Sequence, residues 1–283
     1  MSGKKANGVS MVEHAGWRVS AVSQAMMSSE ENDALLEARI CGDAFTLPGV
    51  VFPHNVLRIE QLADPDGGEE QGMKCVLEFS VRAALQGVGP ADPKLSVLAS
   101  DSWKQKSARP DVQHLDTTAD WTFSTNYHGS LTGAELIGRS AGPASPTEDP
   151  DQPERPRLQT IDLERCRQTN LPIRFYAEVI LFEDELDDHG AVLCSVRVRV
   201  MDSFFLVLFR YFLRIDHVLV RFRETRYYHV FGERVIVQEN QERESPLDAL
   251  QFKIPGNSFG DPDRLQPHVK LLRSELINWK LSM

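Results

Sequence analysis

From Phe204 the chain reads FFLVLFRYFLRID, and few structures can hold such a run. A membrane-spanning helix needs about 20 mostly apolar residues. Here Arg210, Arg214 and Asp216 interrupt the run. Each charge near the centre of a spanning helix costs about 2.5–3.5 kcal/mol. Three of them erase most of what the leucines and phenylalanines contribute, and no other segment is a better candidate. The run therefore belongs in a protein core, where its period fits two structures. As a helix it puts Arg210 and Arg214 on one face and leaves an apolar surface from Phe205 to Leu213. As a strand it points Phe205, Val207, Phe209, Tyr211, Leu213 and Ile215 the same way. Asp202-Ser203 is a helix-capping pair, which favours a buried helix of about three turns. Further on, Val218, Val220 and Phe222 alternate with Leu219, Arg221 and Arg223, which predicts a strand.

Charge narrows the partners. The chain of 283 residues has 31 basic and 41 acidic side chains, a net charge of −10. That argues against nucleic acid or anionic lipid as the main partner and leaves basic proteins and neutral ligands open. With 41% apolar and 25% charged residues it can bury a core without staples, as one large domain or two small ones. Cys41, Cys75, Cys166 and Cys194 lie far apart with no C-x-x-C pair, which fits neither a structural zinc site nor a disulfide framework. The polar start, Met1 to Ser10, lacks the apolar centre of a signal peptide, and no N-x-S/T sequon occurs. A reduced, intracellular protein without cofactor is the expectation.

Residues 1–13 read as a disordered tail. Trp17, Val19 and Ala21 predict a strand, and Ser28-x-x-Glu31 is a capping box opening a helix to about Arg39. Further strands are predicted at Leu57–Ile59, Met73–Phe79, Lys94–Ala99 and Asp120–Asn126, the last with Trp121, Phe123 and Thr125 on one face. Asp64 to Gly72 reads as a loop. Residues 138–157 hold five of the 16 prolines and almost no large apolar side chain. Such a segment cannot bury enough surface to offset its ordering entropy, so it is a linker or an inserted loop. A helical patch at Ile161–Gln168 follows. Phe175–Leu186 and Val192–Val200 then flank a tight acidic turn, as a hairpin does. Strands at 218–230 and 234–239 and a final helix at 267–281 complete an α+β fold on antiparallel or mixed sheet.

No P-loop, dinucleotide fingerprint, H-E-x-x-H or G-x-S-x-G is present, Gly87-Val88-Gly89 opens no helix, and Asp64-Pro65-Asp66-Gly67 lacks the later ligands of a calcium loop. The cluster FEDELDDHG, residues 182–190, sets Glu183, Asp184, Glu185, Asp187 and Asp188 beside His189. Carboxylates near an imidazole can hold a metal or do acid–base work, which keeps a metal-assisted hydrolase as an alternative. A solvated hairpin turn is the simpler account. His229 at the end of an apolar strand suits packing, as does Trp121 with Tyr127. Arg221, Arg223, Glu224 and Arg226 are either a solvated strand edge or a recognition surface beside buried aromatics.

LFEDELDDHG, SVRVRVM, SFFLVLFRYFLRID and VLVRFRETRYYH, in unbroken order, resemble the central signature of the TOR signalling pathway regulator-like family, the Tip-forty-one-like proteins. DWTFSTNYHGSL at 120–131 and NVLRIE at 55–60 resemble its N-terminal half, and the likeness spans most of 16–245. The resemblance implies one α+β domain at 14–283, with 138–157 as an inserted loop and a cleft for an extended tail. It implies a non-enzymatic, cytoplasmic and in part nuclear protein. Its partners would be the catalytic subunits of type 2A serine/threonine phosphatases, inhibited through their C-terminal tail, in TOR signalling. The match places Phe222, Glu224 and Arg226 in the cleft. Where the family commonly carries an aspartate this chain reads VRAALQ, with Ala83, and Arg82 beside it reverses the local charge.

Overall fold

The computed structural model describes residues 8–38, 47–62, 74–88, 122–142, 158–251 and 260–281. Strands β1 (Gly8–His14), β2 (Trp17–Ser23), β4 (Val56–Gln61), β5 (Val76–Ser80) and β6 (Ser130–Thr132) form one sheet in that order. The other sheet runs β3 (Val50–Val51), β8 (Ile173–Asp184), β9 (Gly190–Met201), β10 (Phe204–Ile215), β11 (Leu219–Val230), β12 (Val235–Pro246), β13 (Leu271–Leu281) and β7 (Ala134–Ala141). Helices α1 (Ser29–Glu37), α2 (Val81–Gln86), α3 (Leu163–Arg167), α4 (Asp248–Gln251) and α5 (Pro262–Leu265) are short. The architecture is α+β with antiparallel sheets, as the strand periods predict.

The main core lies between the two sheets. Leu57, Ile59, Leu77 and Phe79 of the small sheet meet Phe205, Val207, Phe209, Tyr211 and Leu213 of the large one, all buried. Phe79 stacks on Phe209 at 5.6 Å, and Tyr127 meets Phe209 edge-on at 5.5 Å. Such ring pairs add about 0.5–1.5 kcal/mol beyond their buried area. The outer face of the large sheet carries two smaller apolar clusters. Phe212, Val220 and Phe222 are covered by Leu247, Leu250, Leu265 and Val269. Met201, Phe204, Tyr228 and Val237 pack with Cys166 of α3.

Several expectations are corrected here. Residues 203–215 are not a helix: β10 pairs with β9 and β11 along its length. Its inner face meets the main core and its outer face meets both smaller clusters, so the apolar run reflects a strand buried on two sides. Asp202-Ser203 is the turn joining β9 to β10, not a helix cap. The expected helix at 267–281 is β13 from Leu271 onward: Leu281 belongs to the main core and Trp279 packs against it, while Leu276 packs against the outer cluster. The tail expected at 1–13 is partly structured, since β1 pairs with β2 from Gly8. Residues 122–126 are not a strand. Phe123 has φ +56°, and Thr125 makes only an isolated bridge to Val88. The expected capping box is present, with Glu31 N donating to Ser28 Oγ and Ser28 N to Glu31. The Asp64–Gly72 loop, the Lys94–Ala99 strand, Trp121 and Cys41 lie outside the described residues; Cys75, Cys166 and Cys194 are buried free thiols, and burial pushes Cys75 up to about 12.

The proline-rich stretch begins inside β7, which contains residues 138–141. Both of its flanks attach to β13: Gly142 N donates to Ser274 O, and Gln159 exchanges two hydrogen bonds with the Asn278 amide. Cleaving the chain within 143–157 is therefore expected to leave two fragments that co-elute in size exclusion and unfold in one transition. Separation of folded halves would refute the single-domain expectation.

Candidate functional site

Alternation along β11 sends Val220, Phe222, Glu224, Arg226 and Tyr228 to the outer face of the large sheet. Its other residues, Arg221, Arg223, Thr225, Tyr227 and His229, turn towards the small sheet. Cross-strand register then sets Glu178, Arg197, Leu208, Arg226 and Glu239 in one row. Arg210 stands opposite Glu224 in the next row.

These side chains form one charge network between the two outer clusters. The Glu224 carboxylate is 2% exposed; one oxygen accepts from Arg210 Nε at 2.6 Å, the other from Arg226 Nη2 and Gln266 Nε2, both at 3.0 Å. Arg226 Nη1 also donates to Glu239 at 3.0 Å. Asp263 of α5 accepts from Arg210 Nη1 at 2.6 Å and Arg197 Nη1 at 2.7 Å, which ties that helix to the sheet. Burial alone would raise the Asp263 carboxyl, but the hydrogen bonds from the two arginines outweigh it and hold it below the usual carboxylate range. Phe222 is fully buried, with the Arg210 guanidinium 5.6 Å above its ring. Arg226 is half-buried.

Phe222, Glu224 and Arg226 thus come together on one face. Arg82 does not join them. It is exposed on α2, whose Val81, Ala84 and Leu85 belong to the core between the sheets, on the opposite side of the large sheet. Sequence reasoning missed Arg197, Arg210, Glu239, Asp263 and Gln266. The alternation in SVRVRV carried a signal for Arg197, and only the strand reading of 204–215 would have placed Arg210 opposite Glu224.

Arg223 lies on the face opposite Glu224, as alternation predicts, but it is not idle. It donates to Glu242, to the Thr125 carbonyl and to the Asn126 side chain, holding residues 122–126 against β11. Tyr211 Oη donates to the Thr122 carbonyl at 2.6 Å in the same region. His229 is a packing residue: it is 1% exposed, lies 4.9 Å from the Trp17 ring and bonds through Nδ1 to the Val235 carbonyl. Burial lowers its pKa below the usual 6.5. The unfolded chain then binds a proton that the folded one refuses, so stability is expected to fall as pH drops below about 6.5. In His229→Gln that part of the acid sensitivity, read by urea melts at pH 7.5 and 5.5, should disappear.

The acidic cluster closes the β8–β9 hairpin. Asp184 accepts from the backbone amides of Leu186 and Gly49, which fixes its carboxylate within the turn. Leu186, Asp187 and Asp188 have φ of +49°, +54° and +64°. A groove of about 610 Å³ opens beside this turn, lined by its carboxylates with Leu193, Phe212 and Pro262; it contains none of Phe222, Glu224, Arg226 or Arg82. Among the described residues, no group of three or more His, Cys, Asp or Glu is placed to hold a metal. The left-handed backbone costs a non-glycine residue about 1–2 kcal/mol, while glycine loses about 0.5–1 kcal/mol of entropy. Asp188→Gly is accordingly expected to leave stability unchanged or raise it by up to about 1 kcal/mol in denaturant melts. A stoichiometric metal lost on this substitution would instead revive the hydrolase.

No helix among the described residues is long and apolar enough to cross a membrane. Residues 50–251 match the model of the TIP41-like family. A human TIP41-like protein is 31% identical over 258 residues, covering 90% of this chain and 84% of its own. An Arabidopsis thaliana TIP41-like protein is 34% identical over 242 residues, covering 80% and 77%. The Saccharomyces cerevisiae relative, named Type 2A phosphatase activator TIP41, is 30% identical over 261 residues, covering 87% and 66%. On the family match and these identities, the chain belongs to the TIP41-like family.

Proposed function

We propose that this protein is a non-enzymatic regulator of type 2A serine/threonine phosphatases. The observation that carries this reading is membership in a family whose yeast member is named for acting on that phosphatase class. The binding surface we assign is the outer face of the large sheet. There, beside the network around Glu224 and Arg226, Leu208 is half-buried, and so is Leu206 against the cluster at Phe204 and Tyr228. An extended C-terminal tail of the catalytic subunit fits such a strip, with apolar side chains on the leucines and polar rims fixing its direction. Arg226 is the rim contact in this arrangement, Glu224 orients it, and Phe222 supports both from below. Arg82, on the other layer, is assigned a separate contact outside the strip.

The direct effect proposed on the isolated catalytic subunit is inhibition, in the cytoplasm and in part the nucleus, within TOR signalling. The yeast relatives are named as activators, so the sign needs its own measurement. Pull-down with this chain as bait, followed by phosphatase assay of the captured subunit, tests both points. Recovery of a type 2A catalytic subunit with lowered activity supports the proposal. Raised activity reverses the sign, and no recovery sinks the phosphatase reading. That last outcome with other TOR components captured would favour a scaffold.

A further inference from the structure

Among the described residues, every other buried or half-buried arginine makes a hydrogen bond or an ion pair, and Arg199 does not. Arg197 already holds Glu178 and Asp263, and Arg226 holds Glu224 and Glu239. A ligand carboxylate arriving at either would have to displace an acid of the protein. Arg199 lies in the adjacent row, between Tyr176 on β8 and Leu206 on β10, on the same outer face and next to the half-buried leucines. None of its nitrogens is both sealed from solvent and unpartnered, so the guanidinium head can be reached. Tyr176 beside it is 53% exposed. A solvent-reachable guanidinium with its donors unused can take a ligand without displacing an acid of the protein, and its planar fork matches a carboxylate.

We propose that Arg199 is the anion-binding residue of the strip, taking a carboxylate of the bound peptide in a two-pronged contact while neighbouring apolar side chains rest on Leu206 and Leu208. This rests on the phosphatase-tail reading and adds to it which residue selects the ligand's charge. The carboxylate can come from an acidic side chain or from the chain terminus, and the experiment separates the two.

The probe is a fluorescent synthetic peptide of a type 2A catalytic-subunit tail, titrated by anisotropy with the full-length protein. One peptide is unmodified, one has its terminus amidated, and in others each acidic side chain is replaced by its amide. Arg199→Gln is expected to weaken the unmodified peptide by about ten-fold or more, as loss of a charge-assisted bond does. That loss should vanish for the one peptide whose neutralised carboxylate is the partner, the signature of a coupled pair. Arg199→Lys, which keeps charge but not the fork, should recover part of the affinity. Since the Arg199 side chain makes no hydrogen bond or ion pair in the described fold, Arg199→Gln should melt at the wild-type temperature. Equal binding by wild type and Arg199→Gln overturns the inference, and so does a loss that persists with every neutralised peptide. Wild type that binds the catalytic subunit but not its tail peptide overturns it while leaving the phosphatase reading intact. Failure to bind either brings both down.

Discussion

Glu224→Ala is expected to cost about 3–5 kcal/mol of stability, the scale for removing one partner of a buried ion pair. The carboxylate is almost fully buried and takes three side-chain donors, from Arg210, Arg226 and Gln266. Its loss leaves Arg210, itself 8% exposed, with Asp263 alone and strips the main support from a charge set over the Phe222 ring. A domain of ordinary stability has about 5–15 kcal/mol in total, so the variant should melt far below wild type. Glu224→Gln keeps the shape and one acceptor oxygen, but its amide nitrogen then faces a cation; about 1–3 kcal/mol is expected. The double replacement Arg210→Met with Glu224→Leu should recover most of the loss, because an apolar pair of similar volume leaves no unpaired charge there. Arg226 would still hold Glu239, and Asp263 would still hold Arg197. Urea melts of the three variants measure this. A Glu224→Ala protein within about 1 kcal/mol of wild type would mean that water replaces the three bonds at little cost, contrary to its burial.

The strands legible in the sequence are those with one face covered and one face wet. Trp17, Val19 and Ala21 alternate with Arg18 and Ser20 because β2 shows its polar face to solvent, and the β8–β9 hairpin is legible for a related reason. β10 hides its period because both faces are covered, and the same holds at Ile277 and Leu276 of β13, where apolar residues on two faces mimic a helical stripe. β1 fails in the opposite way. It is an edge strand with Val9 and Met11 exposed, so composition offers no burial signal. At 122–126 the alternation of Phe123 and Thr125 is accidental, and the buried hydroxyls of Ser124 and Thr125 bond to groups distant in sequence that no local pattern reveals. The site divides along the same line. Phe222, Glu224 and Arg226 are neighbours on one strand face and could be placed from RFRETR. Arg210 was hidden by the helical reading, while Asp263 and Gln266 reach Glu224's surroundings only through the tertiary fold.

Arg226→Ala should weaken binding of a type 2A catalytic subunit by about 1.5–3 kcal/mol, the scale of a charge-assisted hydrogen bond. That is roughly a ten-fold to more than hundred-fold loss of affinity. The substitution is a fair test of binding because the fold should tolerate it. The Arg226 side chain retains 19% exposure, and Glu224 keeps Arg210 and Gln266 when it goes. Glu239, 21% exposed, can turn to water. Arg223→Ala looks like a control from alternation alone, but its bonds to Glu242, Thr125 and Asn126 predict a stability loss with affinity unchanged once the protein is folded. Arg234, exposed in the turn before β12, is the better neutral control. Calorimetry against the catalytic subunit, run well below each variant's melting temperature, separates the two effects. An Arg226→Ala protein that binds like wild type while Arg223→Ala does not would put the partner on the other face of β11. Wild-type binding by both would move the contact off this strand altogether.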